Sequence, residues 1–133
     1  MVLTLTFALV GVWLPSLVPM LKGEPHSDPS IVDRLWNIQP WVYCWHFYLS
    51  LWYTSSTGVP NHRLLVMSVL ATVWGLRITY NFYIKGGFSG GEDYRWGEIR
   101  KWYPGVKYEV FNLVFVCLFQ QCEILAFSTP AVV

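Results

Sequence analysis

The chain has 133 residues, of which 54% are apolar and only 13% charged, roughly half the charged share of a soluble domain. A formal net charge of +1 leaves no basic footprint for nucleic acid. Eight Trp, eight Tyr and eight Phe instead suit a protein with many side chains at membrane–water interfaces. The three cysteines, Cys44, Cys117 and Cys122, lie in apolar runs. Their odd number, with no CxxC or Cys/His ligand spacing, argues against a disulfide framework or a zinc site. They read as small packing residues.

Val2 to Leu21 is almost continuously apolar, and about 20 residues at 1.5 Å each cross a bilayer. No Lys or Arg precedes this run, as a signal peptide would require, so a retained span is favoured. Pro15 and Pro19 predict a kinked or frayed exit. After a short polar loop, Asp28 is a good N-cap and Pro29 suits the first helical position. The helix starting there is expected to run into a second apolar stretch near residues 36–56, with a kink at Pro40. Gly58, Pro60 and Asn61 then mark a turn.

A third span is expected near residues 64–84. It carries Arg77, Asn81 and Lys85 at i, i+4 and i+8, on one helix face, with Tyr80 beside them. Gly86, Gly87, Gly90 and Gly91 break the span. They form neither GxGxxG nor a phosphate-binding loop and read as a flexible turn. Glu92 and Asp93 open a short helix with Trp96, Ile99 and Tyr103 on one face, the pattern of an interfacial amphipathic helix. Pro104-Gly105 ends it, and a fourth apolar run covers residues 110–133. That run reaches the C-terminus with almost no polar tail, as expected of a shortened form of a longer membrane protein.

The expected fold is therefore all-α: a polytopic transmembrane helix bundle of about four spans plus one short interfacial helix. The first and third loops carry Lys22, Arg34, Lys85, Arg95, Arg100, Lys101 and Lys107, and the second only Arg63. This asymmetry assigns the first and third loops to the cytosol.

Arg77 is the residue most in need of an account. An arginine at the centre of a membrane helix costs about 2.5–3.5 kcal/mol on insertion scales, so it normally faces protein or a water-filled cavity. The Arg77–Asn81–Lys85 face, with the Tyr80 phenol, suits an anionic group such as a phosphate. Pairing of Arg77 with Glu123 or Asp33 to hold helices together explains it equally well. Asp33 and Arg34 read either as part of a binding site or as ordinary helix-end charge. His26, His46 and His62 are isolated, and no nucleophile elbow is present.

Several ordered motifs carry a resemblance: DPSIVDRLW, the Pro40-to-Trp45 segment, WGLRITYNFYIKGG, GEDYRW, and FNLVFVCLFQQ with Thr129-Pro130. Together they resemble the amino-terminal half of the membrane proteins called domain of unknown function 1295, in the steroid 5-alpha-reductase-like group. The resemblance covers nearly all the chain from Asp28 onward. It implies a relative of NADPH-dependent reductases that act on a carbon–carbon double bond next to a carbonyl. In such relatives a Glu and a Tyr on early helices position the substrate carbonyl. Tyr80 is the closest match to that tyrosine. The Glu has no clear counterpart: Gln39 is nearest by position, and an amide cannot replace a carboxylic acid. Glu123 stands where the family pattern has an apolar residue.

The resemblance also implies that NADPH is held mainly by carboxy-terminal helices, and their Ser-Arg-His-Pro-Asn-Tyr-like motif is absent from this sequence. The expectation is NADPH for the full family fold and no demonstrable cofactor for this chain alone. The candidate site set is Tyr80 as a catalytic residue, with Arg77, Asn81, Lys85, Asp33 and Arg34 binding cofactor or substrate. The expected partners are a lipid bilayer and a hydrophobic lipid substrate. The expected location is a membrane, the endoplasmic reticulum in a eukaryote. Two other functions compete: a non-catalytic multi-pass membrane protein, and a membrane methyltransferase-like protein.

Overall fold

A computed structural model describes residues 4, 6–55, 61–89 and 93–131, all in helices, turns and irregular segments. Among the described residues, six helices follow in order: α1 (Phe7–Leu21), α2 (Ile31–Leu35), α3 (Gln39–Thr54), α4 (His62–Ile84), α5 (Tyr94–Trp102) and α6 (Val106–Ala131). Two of them, α4 and α6, are long and apolar enough to cross a membrane. Only 17% and 28% of their most apolar windows are buried, whereas the core helix of a soluble protein would be mostly buried. On α4, Leu70, Val73 and Leu76 are all at least 60% exposed. That surface calls for lipid or protein to cover it.

Two expected spans come out shorter. Within the described residues, α1 and α3 each hold fewer than the roughly 20 residues a bilayer crossing needs. Pro15 and Pro19 both sit in first helical turns within α1. Val2, Leu3 and Leu5 of the expected first span lie outside the described residues, as do Gly58 and Pro60 of the expected turn.

The expected helix kinked at Pro40 is replaced by two helices. Asp28 caps as anticipated, its carboxylate accepting the Ser30 N–H at 2.9 Å, but α2 ends at Leu35 and α3 starts afresh at Gln39. Pro40 falls in the first turn of α3. A proline there gives up no intrahelical hydrogen bond, because first-turn N–H groups have no partner anyway. The proline starts a helix instead of bending one.

Glycines close two helices in the same way. After α4, Gly86 adopts φ 77°; its N–H reaches the Tyr83 carbonyl, and the Gly87 N–H reaches Phe82, each at 2.9 Å. This crossed pair is a Schellman stop. After α1, Gly23 (φ 91°) and the Glu24 N–H repeat it on Met20 and Pro19. Gly86-Gly87 is thus a defined helix stop, not a flexible turn, while Gly90, Gly91 and Glu92 lie outside the described residues. Gly86→Ala is expected to cost about 1–2 kcal/mol, because a Cβ is strained at positive φ. A lower unfolding midpoint in detergent is the readout.

The chain divides into two compact units. One combines Met1–Arg34 with Phe88–Glu123, and the other Leu35–Gly87 with Ile124–Val133. In the first unit, Ala8, Val12 and Ser16 form a buried stripe on α1, and Tyr108, Asn112 and Val116 form one on α6. Both stripes repeat every four residues, so each lies along one helix face, and the two helices pack against each other. In the second unit, α3 packs on α4 more extensively than any other helix pair. Cys44, Tyr48, Leu64 and Ala131 form its buried core. The Trp45 indole donates to the Thr72 hydroxyl at 3.0 Å, tying the two helices. Cys44 and Cys117 are buried, as packing residues are; Cys122 is exposed.

Candidate functional site

The second unit holds the strip anticipated on the third span. Arg77, Tyr80, Asn81 and Lys85 are all exposed on α4, whose 23 residues start from an Asn61 cap accepting the Leu64 N–H at 3.1 Å. Neither Arg77 nor Lys85 forms an ion pair with a described residue of its own unit. None of the four side chains lines the apolar cavity of about 340 Å³ in this unit. Pro40, Cys44, Met67 and Trp74 wall that cavity, together with Phe127 and Ala131. Gln39, next to the lining Pro40, is fully buried. Its amide has no hydrogen-bond partner among the described residues.

The first unit holds Asp33 and Arg34, and it gives Asp33 a partner the spacing did not suggest. Asp33 Oδ2 lies 3.4 Å from Arg95 Nη2, which also grips Asp93 at 2.8 Å. Asp93 caps α5 by accepting the Arg95 N–H at 2.9 Å, and its own N–H donates to the Ser30 hydroxyl at 3.2 Å. Ser30 and Asp33 thus meet Asp93 and Arg95, far from them in sequence. Arg34 is half-buried, and its Nε has no partner among the described residues.

Burial pushes the Asp33 carboxyl above its ordinary value near 3.8, against the pull of Arg95. Hydrogen bonds from Arg95 hold Asp93 below that same value. The signs are opposite. The raised Asp33 costs stability once it ionises, a cost relieved as pH falls through its folded pKa. The lowered Asp93 contributes stability that is full above about 3.8 and lost as pH falls through its folded pKa. Arg95→Gln is expected to reduce the acid-side loss due to Asp93, leaving the part that comes from the residue 95 backbone N–H. An acid titration of helicity below about pH 4 then shows a shallower fall for the variant than for the wild type.

The same unit contains a buried polar cluster that sequence reasoning missed. The Asn112 amide donates to Ser16 Oγ at 3.0 Å and to Ser27 Oγ at 2.9 Å. Its carbonyl oxygen accepts the Cys117 thiol at 3.6 Å. The Ser27 N–H donates to Glu109 Oε1 at 3.1 Å. Tyr108 is fully buried beside them. The Arg100 guanidinium lies 5.2 Å from its ring centroid, and the His26 ring meets it edge-on at 5.8 Å. A lone Asn in the apolar run FNLVFVCLF was the available signal, since a polar side chain there must find partners.

Comparison with known proteins gives two findings. Residues 23–133 match the family described as protein of unknown function, DUF1295. The chain is also 37% identical over 105 residues to the uncharacterized protein C594.04c of Schizosaccharomyces pombe, a match covering 78% of this chain and 30% of that protein. The chain thus spans less than a third of the curated relative it matches. No solved structure matches it. The family match extends over DPSIVDRLW, GEDYRW and the whole α4 strip, and the chain therefore belongs to the DUF1295 family, in the steroid 5-alpha-reductase-like group.

Proposed function

We propose that the chain is the amino-terminal part of a multi-pass membrane reductase, in which the α4 strip forms one wall of the site. The reaction is NADPH-dependent reduction of a carbon–carbon double bond conjugated to a carbonyl, in a lipid or steroid-like molecule. Family membership supports the class of reaction. The observation that carries the site is the exposed Arg77–Asn81–Lys85 row with Tyr80, on a helix long and apolar enough to span a bilayer. Left in hydrocarbon, Arg77 costs about 2.5–3.5 kcal/mol. An anionic group, with protein around it, removes that cost. In this reading α1 and α3, each short of a full crossing over its described residues, join α4 and α6 in the membrane bundle.

These four side chains do not by themselves fit a dinucleotide. They lie on an open helix face and line none of the cavities of about 310, 340 and 470 Å³. Holding a dinucleotide in place for hydride transfer needs walls on several sides. The chain's own share is narrower. Arg77 and Lys85 supply positive charge, and Asn81 and Tyr80 supply hydrogen-bond donors. The 133-residue chain, purified into lipid vesicles with an enone lipid, is expected to consume no NADPH above the protein-free rate. Measurable NADPH oxidation by the chain alone contradicts the division of the site.

A further inference from the structure

The first unit carries an open groove along α6 that the α4 strip does not use. It holds about 470 Å³, within the roughly 300–1,000 Å³ of small-molecule sites. Val106, Val110 and Val114 line it as one row, at i, i+4 and i+8 on the helix. Lys107, Phe111 and Phe115 line it as a second row with the same spacing. Tyr103, just after α5, completes the lining.

The aromatic row is ordered by its own contacts. Tyr103 stacks on Phe111 at 5.4 Å and Phe111 on Phe115 at 5.1 Å, with ring planes 10° and 21° from parallel. Stacked rings fix one another's orientation. The valine row, by contrast, is open: Val106 is 79% exposed and Val110 and Val114 more than half. α6 is long and apolar enough to cross a membrane, and hydrocarbon is what such a row needs to cover it.

One end of the groove is charged. Lys107 is the one charged residue in the lining, and it forms no ion pair or hydrogen bond among the described residues. Glu109, two residues on, is engaged elsewhere by the Ser27 N–H. The Tyr103 hydroxyl also has no hydrogen-bond partner among the described residues. Lys107 is the second residue of α6, so it stands in the headgroup layer when the rest of the groove faces hydrocarbon. From Val106 to Val114 the row runs about 12 Å along the helix axis. An unpaired cation and a phenol donor at one end of an apolar groove complement an anionic head on a hydrocarbon tail.

We infer that the groove holds one phospholipid of net negative charge, its phosphate on Lys107 and Tyr103 and one acyl chain along the valine row. The loop charges assign this end of α6 to the cytosol, and the cytosolic leaflet carries the anionic lipids. A zwitterionic phospholipid offers the same chain, but its own ammonium competes with Lys107 for the phosphate. A sterol offers a flat face to the rings and no charge to the lysine. The site requires α6 to lie in a membrane and nothing of the reductase reading.

Native mass spectrometry of the detergent-purified chain tests this. The chain is equilibrated with equal amounts of cholesterol, phosphatidylglycerol and phosphatidylcholine, the two phospholipids bearing the same acyl chains. Retained phosphatidylglycerol is expected to exceed phosphatidylcholine about fivefold, the effect of one lysine at an anionic surface. Lys107→Gln should remove that preference and leave phosphatidylcholine retention as it was. Lys22→Gln is the control, because Lys22 is exposed at the end of α1 and lies outside the groove; the preference should survive it. Both lysines are exposed, so unchanged circular dichroism is expected. Equal retention of the two phospholipids, a preference lost equally in both variants, or cholesterol retained above both overturns the site. In vesicles of the same lipids, photoreactive benzoylphenylalanine in place of the exposed Val106 should take on the mass of one phospholipid. A cross-link to a second copy of the chain overturns the lipid assignment. So does a cross-link to the rest of the protein when this chain replaces the matching stretch of the Schizosaccharomyces pombe relative. Vesicle flotation separates the two readings. A chain that floats without a lipid preference contradicts the groove alone; one that stays in the aqueous phase contradicts the membrane reading and the groove with it.

Discussion

Gly75→Val is expected to destabilise the second unit by about 3 kcal/mol, the upper end of what overpacking usually costs. A Cβ at Gly75 runs into the Trp41 indole and comes within 2.9 Å of the Asn37 backbone carbonyl oxygen. The indole can turn aside; the carbonyl belongs to the turn that starts α3 and cannot. α3 and α4 must therefore separate where the absence of a side chain lets them approach. Gly97 on α5 is the control, because an added Cβ there meets nothing within 4 Å. Gly97→Ala should gain roughly 0.5–1 kcal/mol from helix propensity. Unfolding midpoints of the two variants should therefore move in opposite directions. A Gly75→Val protein as stable as wild type would mean that the α3–α4 contact is not the one described.

Asn112→Leu should cost about 2–4 kcal/mol, from three lost hydrogen bonds and the stranded polar groups they leave. The replacement keeps the branched outline but carries bulkier methyl groups, so no cavity opens and overpacking at this buried position adds to the polar loss. The buried Ser16 and Ser27 both lose the Asn112 donor, and the Cys117 thiol loses its acceptor. Ser16 keeps its bond to the Trp13 carbonyl at 2.7 Å, which sets the lower end of the range. Denaturant unfolding in detergent reads the effect.

Local signals carried much of the fold. Asp28-Pro29 marked the start of α2, and Pro104-Gly105 the end of α5, with Gly105 at φ 63°; Asn61, read only as part of a turn, caps α4. Each depends on residues within one or two turns. Pro40 was misleading because a proline is read the same way at a kink and at a first turn; only the stop at Leu35 distinguishes them. Glycines 86 and 87 suggested flexibility, whereas their N–H groups are fully committed to a Schellman stop. The first unit's polar cluster could not be read locally. Asn112 meets Ser27 across 85 residues and Ser16 across 96, and no spacing rule reaches that far. The α4 strip was readable for the opposite reason, since i, i+4, i+8 is one face of any helix. What covers that face is a tertiary question.

The most direct measurement places the α4 strip inside a longer relative. In a chimera, this chain replaces the matching stretch of the Schizosaccharomyces pombe relative, which it resembles at 37% identity over 105 residues. NADPH binding to the purified chimera is then titrated by nucleotide fluorescence. The account predicts saturable binding by the chimera and none by the isolated chain. It predicts a loss of tenfold or more on Arg77→Ala with Lys85→Ala, about 1.4 kcal/mol or above, with folding unchanged. Binding that is indifferent to both substitutions would contradict the assignment of the α4 strip to the site.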